Sequence, residues 1–263
     1  MLIKIYKFSQ MTGFDWLLTG MAIMGAIVFV ALYFIKAGYG MFFDRKWGLS
    51  VSNKLGWILM ESPVFLLMGV LWWFSDRRCE LAPVVIFGLF QLHYIHRAFI
   101  YPFLMRGKSR MPVGIMAMGV VFNILNAAMQ GGWFFYYAPA GMYTAEWLLT
   151  PQFIFGTVVF FTGMGINMHS DHIIRRLRKP GDTAHYLPRG GMYDYVTSAN
   201  YFGEIVEWCG FAILTWSWAG AVFAWWTFAN LVPRAAAIYR RYQEMYGSEV
   251  KERGLKRIIP FIY

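Results

Sequence analysis

The chain has 263 residues, of which 58% are hydrophobic, 20% aromatic and only 14% charged. A soluble domain averages about 45–50% apolar and about 25% charged residues, so a water-soluble fold is excluded and residues 1–263 read as one integral membrane domain. The formal net charge of +10 needs no nucleic acid to explain it, because membrane topology accounts for it.

Seven helical spans are predicted: 14–36, 55–75, 81–105, 111–137, 148–173, 196–217 and 219–243. The first contains the uncharged run Trp16 to Ile35, long enough to cross a hydrocarbon core of about 30 Å. It is longer than the apolar region of a signal peptide, and no small-residue cleavage pattern follows it. The second span carries Glu61 in "WILMESPVF". The third carries "LHYIHRAFIY", with His93, Tyr94, His96, Arg97 and Tyr101. The fourth lies in the uncharged stretch from Met111 to Ala145. The fifth ends in "NMHSDHIIRRLRKPGD", which begins with Asn167 and includes Asp171 and Arg178. The sixth opens with Asn200, Glu204 and Glu207. "WSWAG" at 216–220 is a tight turn into the seventh. The expected fold is therefore all-α and polytopic.

Most of the 24 basic residues fall in alternate loops and the C-terminal tail. They include Lys36, Arg45, Lys46, Arg106, Lys108 and Arg175. An excess of Lys and Arg marks the cytoplasmic side, so the N-terminus is expected outside and the C-terminus in the cytoplasm. Cys79 and Cys209 have no metal-ligand spacing and read as free thiols.

Ionisable groups at membrane depth are costly and mark function by default. At about 100° per residue, Asn167, Asp171 and Arg178 lie within about 40° of one another on a helix. Asn200, Glu204 and Glu207 form a second stripe; Tyr94, Arg97 and Tyr101 form a third. Converging stripes would build a polar pocket open to the cytoplasm. Guanidinium groups at its mouth bind phosphates bidentately, and amides and carboxylates inside suit ribose hydroxyls and carboxamides. A phosphorylated nucleotide with an uncharged end fits that description. The His-x-x-His pairs in "HYIH" and "HSDH" invite a metal reading, but five histidines in the whole chain fall short of a di-iron set, and no metal is expected. "GMGINM" starts as G-x-G but lacks the third glycine and the preceding strand of a dinucleotide fingerprint.

The blocks "LHYIHRAFIYPFLMRG", "GMGINMHSDHIIRRLRKPGD", "PRGGMYDYVTSANYFGEIVEWCG" and the terminal "IIPFIY" closely resemble the steroid 5α-reductase family, from about Trp57 to the C-terminus. The resemblance implies an enzyme that uses NADPH to reduce the 4,5 double bond of a 3-keto-4-ene steroid to the 5α product. Glu61 and Tyr94 match the pair holding the steroid 3-carbonyl. Arg97, Tyr101, Asn167, Asp171, Arg178, Asn200, Glu204, Arg234 and Tyr242 match cofactor-binding positions. Trp57 and Trp208 match aromatic positions near substrate and nicotinamide. The chain departs from its mammalian relatives at Met118, His185–Tyr186 and Ile238, where they carry an arginine, a Tyr–Arg pair and a histidine.

A tyrosine hydroxyl, with a reference pKa near 10, is a donor at neutral pH and suits an oxygen that gains charge as hydride adds to an enone. Glu61 is a second donor if protonated and an orienting group if ionised. The expected partners are a lipophilic steroid arriving from the bilayer and membrane lipid, with a monomeric chain in a bacterial inner membrane or endoplasmic reticulum membrane. Three alternatives remain at this level: reduction of another lipid enone of the enoyl thioester or polyprenol type, a membrane methyltransferase, and proton-coupled transport.

Overall fold

The computed structural model describes residues 11–106, 108–177, 179 and 184–263; Arg178 lies outside the described residues. Helix α1, Gly13–Phe34, starts at a capping box in which Thr12 and Asp15 each accept from the other's backbone N–H, satisfying two donors that a helix start leaves free. Helix α2, Asn53–Trp73, is capped by the Ser52 hydroxyl. Helix α3, Leu81–Tyr94, widens into a π-helical turn at Ile95–Ile100 and closes with Tyr101–Leu104. Pro102, which has no N–H to continue the ladder, sits at that junction. Helix α4 is Val113–Gly132, followed by a second π turn at Trp133–Tyr137. Helix α5 is Pro151–Leu177, α6 is Ala199–Thr215 and α7 is Trp218–Glu252.

Three expectations change. A two-stranded antiparallel ribbon, Ser50–Ser52 against Arg110–Pro112, joins the loops before α2 and α4, so the all-α expectation holds except for this clip. Among the described residues, five helical segments are long and apolar enough to cross a membrane: Gly13–Phe34, Asn53–Trp73, Leu81–Leu104, Val113–Tyr137 and Pro151–Leu177. Helix α6 has 17 residues, at the lower edge of the range of about 17–25 for a span, and α7 joins an uncharged first half to a charged second half. The seven long helices are therefore present, while length and composition qualify five of them as spans. Lastly, α7 breaks close to its expected end at 243, where Tyr246 leaves helical geometry (φ −139°, ψ 39°), and a further helical segment continues beyond that kink to Glu252. Its extension is held by an apolar cluster of Leu187, Tyr242, Val250 and Leu255, a tertiary contact that helix periodicity does not reveal.

The turn between α6 and α7 falls where expected. Trp216 takes a left-handed conformation at φ 47°, which ends α6, and the Ser217 hydroxyl accepts from Gly220 N–H to start α7. Helices α5 and α6 approach backbone to backbone. Gly156 and Gly163 on one helix, and Gly203 and Gly210 on the other, each face main-chain atoms of the partner helix where a Cβ would collide. The seven-residue spacing on both strips keeps the contact on one face for two turns. It brings the inner end of the Asn167 stripe against the start of α6. At the other side of the bundle, Trp225 and Trp226 of α7 donate their indole N–H groups to the carbonyls of Ala22 and Met21 on α1.

Candidate active site

A cavity of about 990 Å³ runs through the bundle, at the upper end of the range of about 300–1,000 Å³ for small-molecule sites. Ten of the sequence-selected residues line it: Trp57, Glu61, Tyr94, Arg97, Tyr101 and Asn200 among them, with Glu204, Trp208, Arg234 and Tyr242. Asn167 and Asp171 stand immediately behind the wall and are almost fully buried. Met118, His185, Tyr186 and Ile238 also line the cavity.

Its character changes along its length. One end is built from Asn200, Tyr201, Glu204 and Arg234 and borders the loop of His185 and Tyr186; the other is walled by Met21, Val28, Phe122, Phe223 and Trp226. The polar end is tightly wired. The Arg97 guanidinium reaches Asp171 at 3.4 Å and Glu204 at 3.5 Å, and it lies over the Trp57 ring at 4.4 Å and the Tyr101 ring at 5.0 Å. The π turn at Ile95–Ile100 aims Arg97 inward. Such one-turn widenings recur at functional sites because they redirect a side chain without ending the helix. Asn167 donates to the Asn200 carbonyl at 2.9 Å, and Asn200 donates to Asp171 at 3.1 Å. Tyr193 donates to Asn200 Oδ1 at 3.3 Å. Arg234 donates to Asn230 at 3.2 Å and to the Tyr201 hydroxyl at 3.0 Å, with its guanidinium 4.4 Å from the Tyr39 ring centre. Tyr242 donates to the Tyr186 carbonyl at 3.1 Å.

Glu61 and Tyr94 lie where the polar and apolar ends meet. Asn123 donates to Glu61 Oε2 at 3.1 Å and to the Met60 carbonyl at 2.7 Å. Asn126 donates to the Tyr94 hydroxyl at 3.1 Å. Trp208 packs against Tyr94, His93 and Phe223, and His93 Nδ1 meets Glu207 Oε1 at 2.8 Å.

The residues that sequence reasoning passed over are Asn123, Asn126 and Gln130. They sit at i, i+3 and i+7, so they share one face of α4. Three amides on one face of an otherwise apolar span are the signal that identifies them; stripes chosen for containing an ionisable group miss it.

The cavity fits a nucleotide-type cofactor by its chemistry. The Ser198 hydroxyl is buried without a hydrogen-bond partner among the described residues, and Ser198 lines the cavity. Unpaired buried donors are rare, and an oxygen-rich ligand would satisfy it.

The profile of the family described as 3-oxo-5-alpha-steroid 4-dehydrogenase matches residues 109–263. The chain is 40% identical to the 3-oxo-5-alpha-steroid 4-dehydrogenase 1 of Homo sapiens over 243 residues, covering 91% of this chain and 92% of that protein. It is 38% identical to the 3-oxo-5-alpha-steroid 4-dehydrogenase 2 of Sus scrofa over 252 residues, covering 94% and 96%. It is 35% identical to the steroid 5-alpha-reductase DET2 of Arabidopsis thaliana over 263 residues, covering 98% and 99%.

Proposed function

The chain belongs to the 3-oxo-5-alpha-steroid 4-dehydrogenase family, and from that premise we propose that it is a multi-pass membrane oxidoreductase that reduces the 4,5 double bond of a 3-keto-4-ene steroid to the 5α product with NADPH. The observation that carries this reading is one cavity with Glu61 and Tyr94 at the junction of an apolar and a polar end. An apolar steroid matches the first end and a dinucleotide the second.

NADPH, when bound, supplies the hydride. Addition at carbon 5 drives negative charge onto the steroid 3-oxygen, and the resulting enolate takes a proton from water at carbon 4. Tyr94 donates a hydrogen bond from its hydroxyl to that oxygen while keeping its proton, and Glu61, steadied by Asn123, stands beside it. A donor aimed where charge develops stabilises the transition state more than the ground state. Asn200, Glu204, Arg234 and Tyr242 hold the cofactor. Asn167 and Asp171 act through Asn200 and Arg97, and Arg178 and Tyr101 complete the grip. Trp57 and Trp208 wall the reacting centre.

The steroid arrives from the lipid. Met24 on α1 and Met118 and Val121 on α4 line the cavity and are exposed, which supports entry between these two helices. Helices α6 and α7 complete a seven-span bundle with the N-terminus outside and the C-terminus in the cytoplasm, and the enzyme works as a monomer.

Purified protein given NADPH and testosterone or progesterone tests the reading, with products identified by mass spectrometry against 5α and 5β standards. A 5α product that requires NADPH is expected. NADPH binding without steroid reduction would move the substrate to another lipid enone. A folded sample that binds no NADPH would sink the cofactor assignment.

A further inference from the structure

Helix α4 buries two amides that do not line the cavity. Asn126 and Gln130 are fully buried, and a buried amide is costly unless it is hydrogen-bonded. Their partners impose a direction. Gln130 Nε2 donates to the Ala219 carbonyl at 2.9 Å. A carbonyl only accepts, so it determines which end of the Gln130 amide faces it. The same nitrogen points at Asn126 Oδ1 at 3.4 Å. The Asn126 oxygen is thus committed to Gln130, and its nitrogen faces Tyr94 at 3.1 Å. An amide nitrogen only donates, so the Tyr94 oxygen must accept from it and its proton must point elsewhere. Among the described residues no acceptor takes that proton, and Tyr94 borders the cavity.

We propose that Asn126 and Gln130 are positioning residues whose one-way hydrogen-bond chain from Tyr94 back to the Ala219 carbonyl holds the Tyr94 hydroxyl as a donor into the cavity. The proposal rests on the reading of Tyr94 as the donor to the substrate carbonyl. The chain removes the competing arrangement in which the hydroxyl gives its proton to a neighbour and offers lone pairs to the substrate. Donor direction is settled before substrate arrives, which is how preorganised polar groups lower a barrier.

The direction can be inverted with little change of shape. In Asn126→Asp, an ionised carboxylate accepts the Tyr94 proton, whereas a protonated one still donates to Tyr94. Turnover should therefore fall about tenfold or more as pH rises through the titration of the new carboxyl, while NADPH affinity stays unchanged. The wild type should lack this pH step. Gln130→Met removes the anchor but keeps the volume, frees the Asn126 amide to turn, and should lower kcat severalfold at constant KM. In a Tyr94→Phe background both changes should have no further effect on turnover, as expected for residues acting through one group.

Tyr94→Phe with normal turnover would overturn the donor reading of Tyr94 itself. Impaired Tyr94→Phe with Asn126→Asp and Gln130→Met both turning over normally at every pH would overturn this inference alone. Equal losses from the α4 changes with and without the Tyr94 hydroxyl would also overturn it, since they would mark a purely structural role. If Asn126→Asp does not fold, the infrared stretch of a bound steroid 3-carbonyl gives the same information. It should shift to lower frequency in the wild type and move back in Gln130→Met, and an unchanged stretch in Gln130→Met would count against the chain.

Discussion

His93 Nδ1 and Glu207 Oε1 meet at 2.8 Å in the interior of the helix bundle, both almost fully buried, with the Trp208 ring 4.6 Å from the imidazole. The other Glu207 oxygen has no partner among the described residues, so His93 carries the polar compensation for the carboxyl. Breaking a buried pair from one side strands the other group. Glu207→Ala is expected to cost about 3–5 kcal/mol, and Glu207→Gln, which keeps a polar partner for His93, should cost less. Thermal unfolding in detergent checks this. An unchanged midpoint for Glu207→Ala would show that the pair does not hold the bundle.

The α5–α6 seam makes a second prediction. A Cβ at Gly163 would fall inside the van der Waals envelope of the Glu207 backbone, and one at Gly203 would strike the Asn167 backbone. Both obstacles are main chain, so a side chain cannot move aside to make room. Gly163→Ala and Gly203→Ala should each cost about 1–3 kcal/mol or more from overpacking. By separating Asn167 from Asn200 they should also weaken NADPH binding. Gly165→Ala, which meets nothing within 4 Å, is the control and should leave both unchanged.

Tyr94→Phe should lower turnover at least tenfold, or by about 10²–10³ if the hydroxyl acts as a full oxyanion donor. It should leave NADPH binding nearly intact, because the ring contacts with Phe90 and Trp208 remain. Single-turnover kinetics with a saturating cofactor give the readout. Normal turnover would remove Tyr94 from the reaction.

Arg97 holds two carboxylates while its guanidinium lies against the Trp57 and Tyr101 rings. A lysine provides one charge but neither the planar fork nor the stacking surface. Arg97→Lys is therefore expected to behave as a severe substitution, lowering both stability and NADPH affinity. Fluorescence titration with NADPH would show it, and wild-type affinity would contradict it.

Beyond the apolar part of α7, Glu249 accepts from Arg189 at 3.0 Å and from Arg253 at 3.1 Å. Arg253 also donates to the carbonyls of Pro188 and Tyr193, tying the 188–194 loop to the C-terminal end of α7. The Arg189 hydrogen bond, helped by Arg253, holds the Glu249 carboxyl below the usual carboxylate range. A carboxylate with a depressed folded pKa adds stability above its unfolded pKa, and that contribution is lost as pH falls through the folded value. Glu249→Gln should therefore destabilise at neutral pH and match the wild type in acid. Melting curves across that range check it, and a pH-independent difference would argue against the ion pair.

Much of the site was legible because charge and amide groups are expensive in lipid. Glu61, Arg97, Asp171, Asn200 and Glu204 stand out in apolar runs for that reason alone, and the structure gathers all but Glu61, which stands at its border, around one polar end. The helices were equally plain: a long apolar run has few other ways to satisfy its backbone in a membrane. Ends were harder: α7 kinks at Tyr246, and the segment that continues to Glu252 packs against Leu187, which is distant in sequence. Asn123, Asn126 and Gln130 were overlooked because their helix carries no ionisable group to draw attention to them, as Asp171 does for Asn167 and Glu204 for Asn200.

The sequence by itself determined the solvent, the helical class and the residues whose burial demands a partner, since these follow from composition and from the period of the helix. Only the tertiary structure decided which partner each group takes. Asn167 and Asp171 lie behind the cavity wall because Gly163 and Gly203 let α5 and α6 touch backbone to backbone. The direction of the Tyr94 hydroxyl is set by the Ala219 carbonyl on α7, reached through two amides of α4. Hydrogen-bond direction belongs to pairs of groups from different helices, so it exists only once those helices are packed.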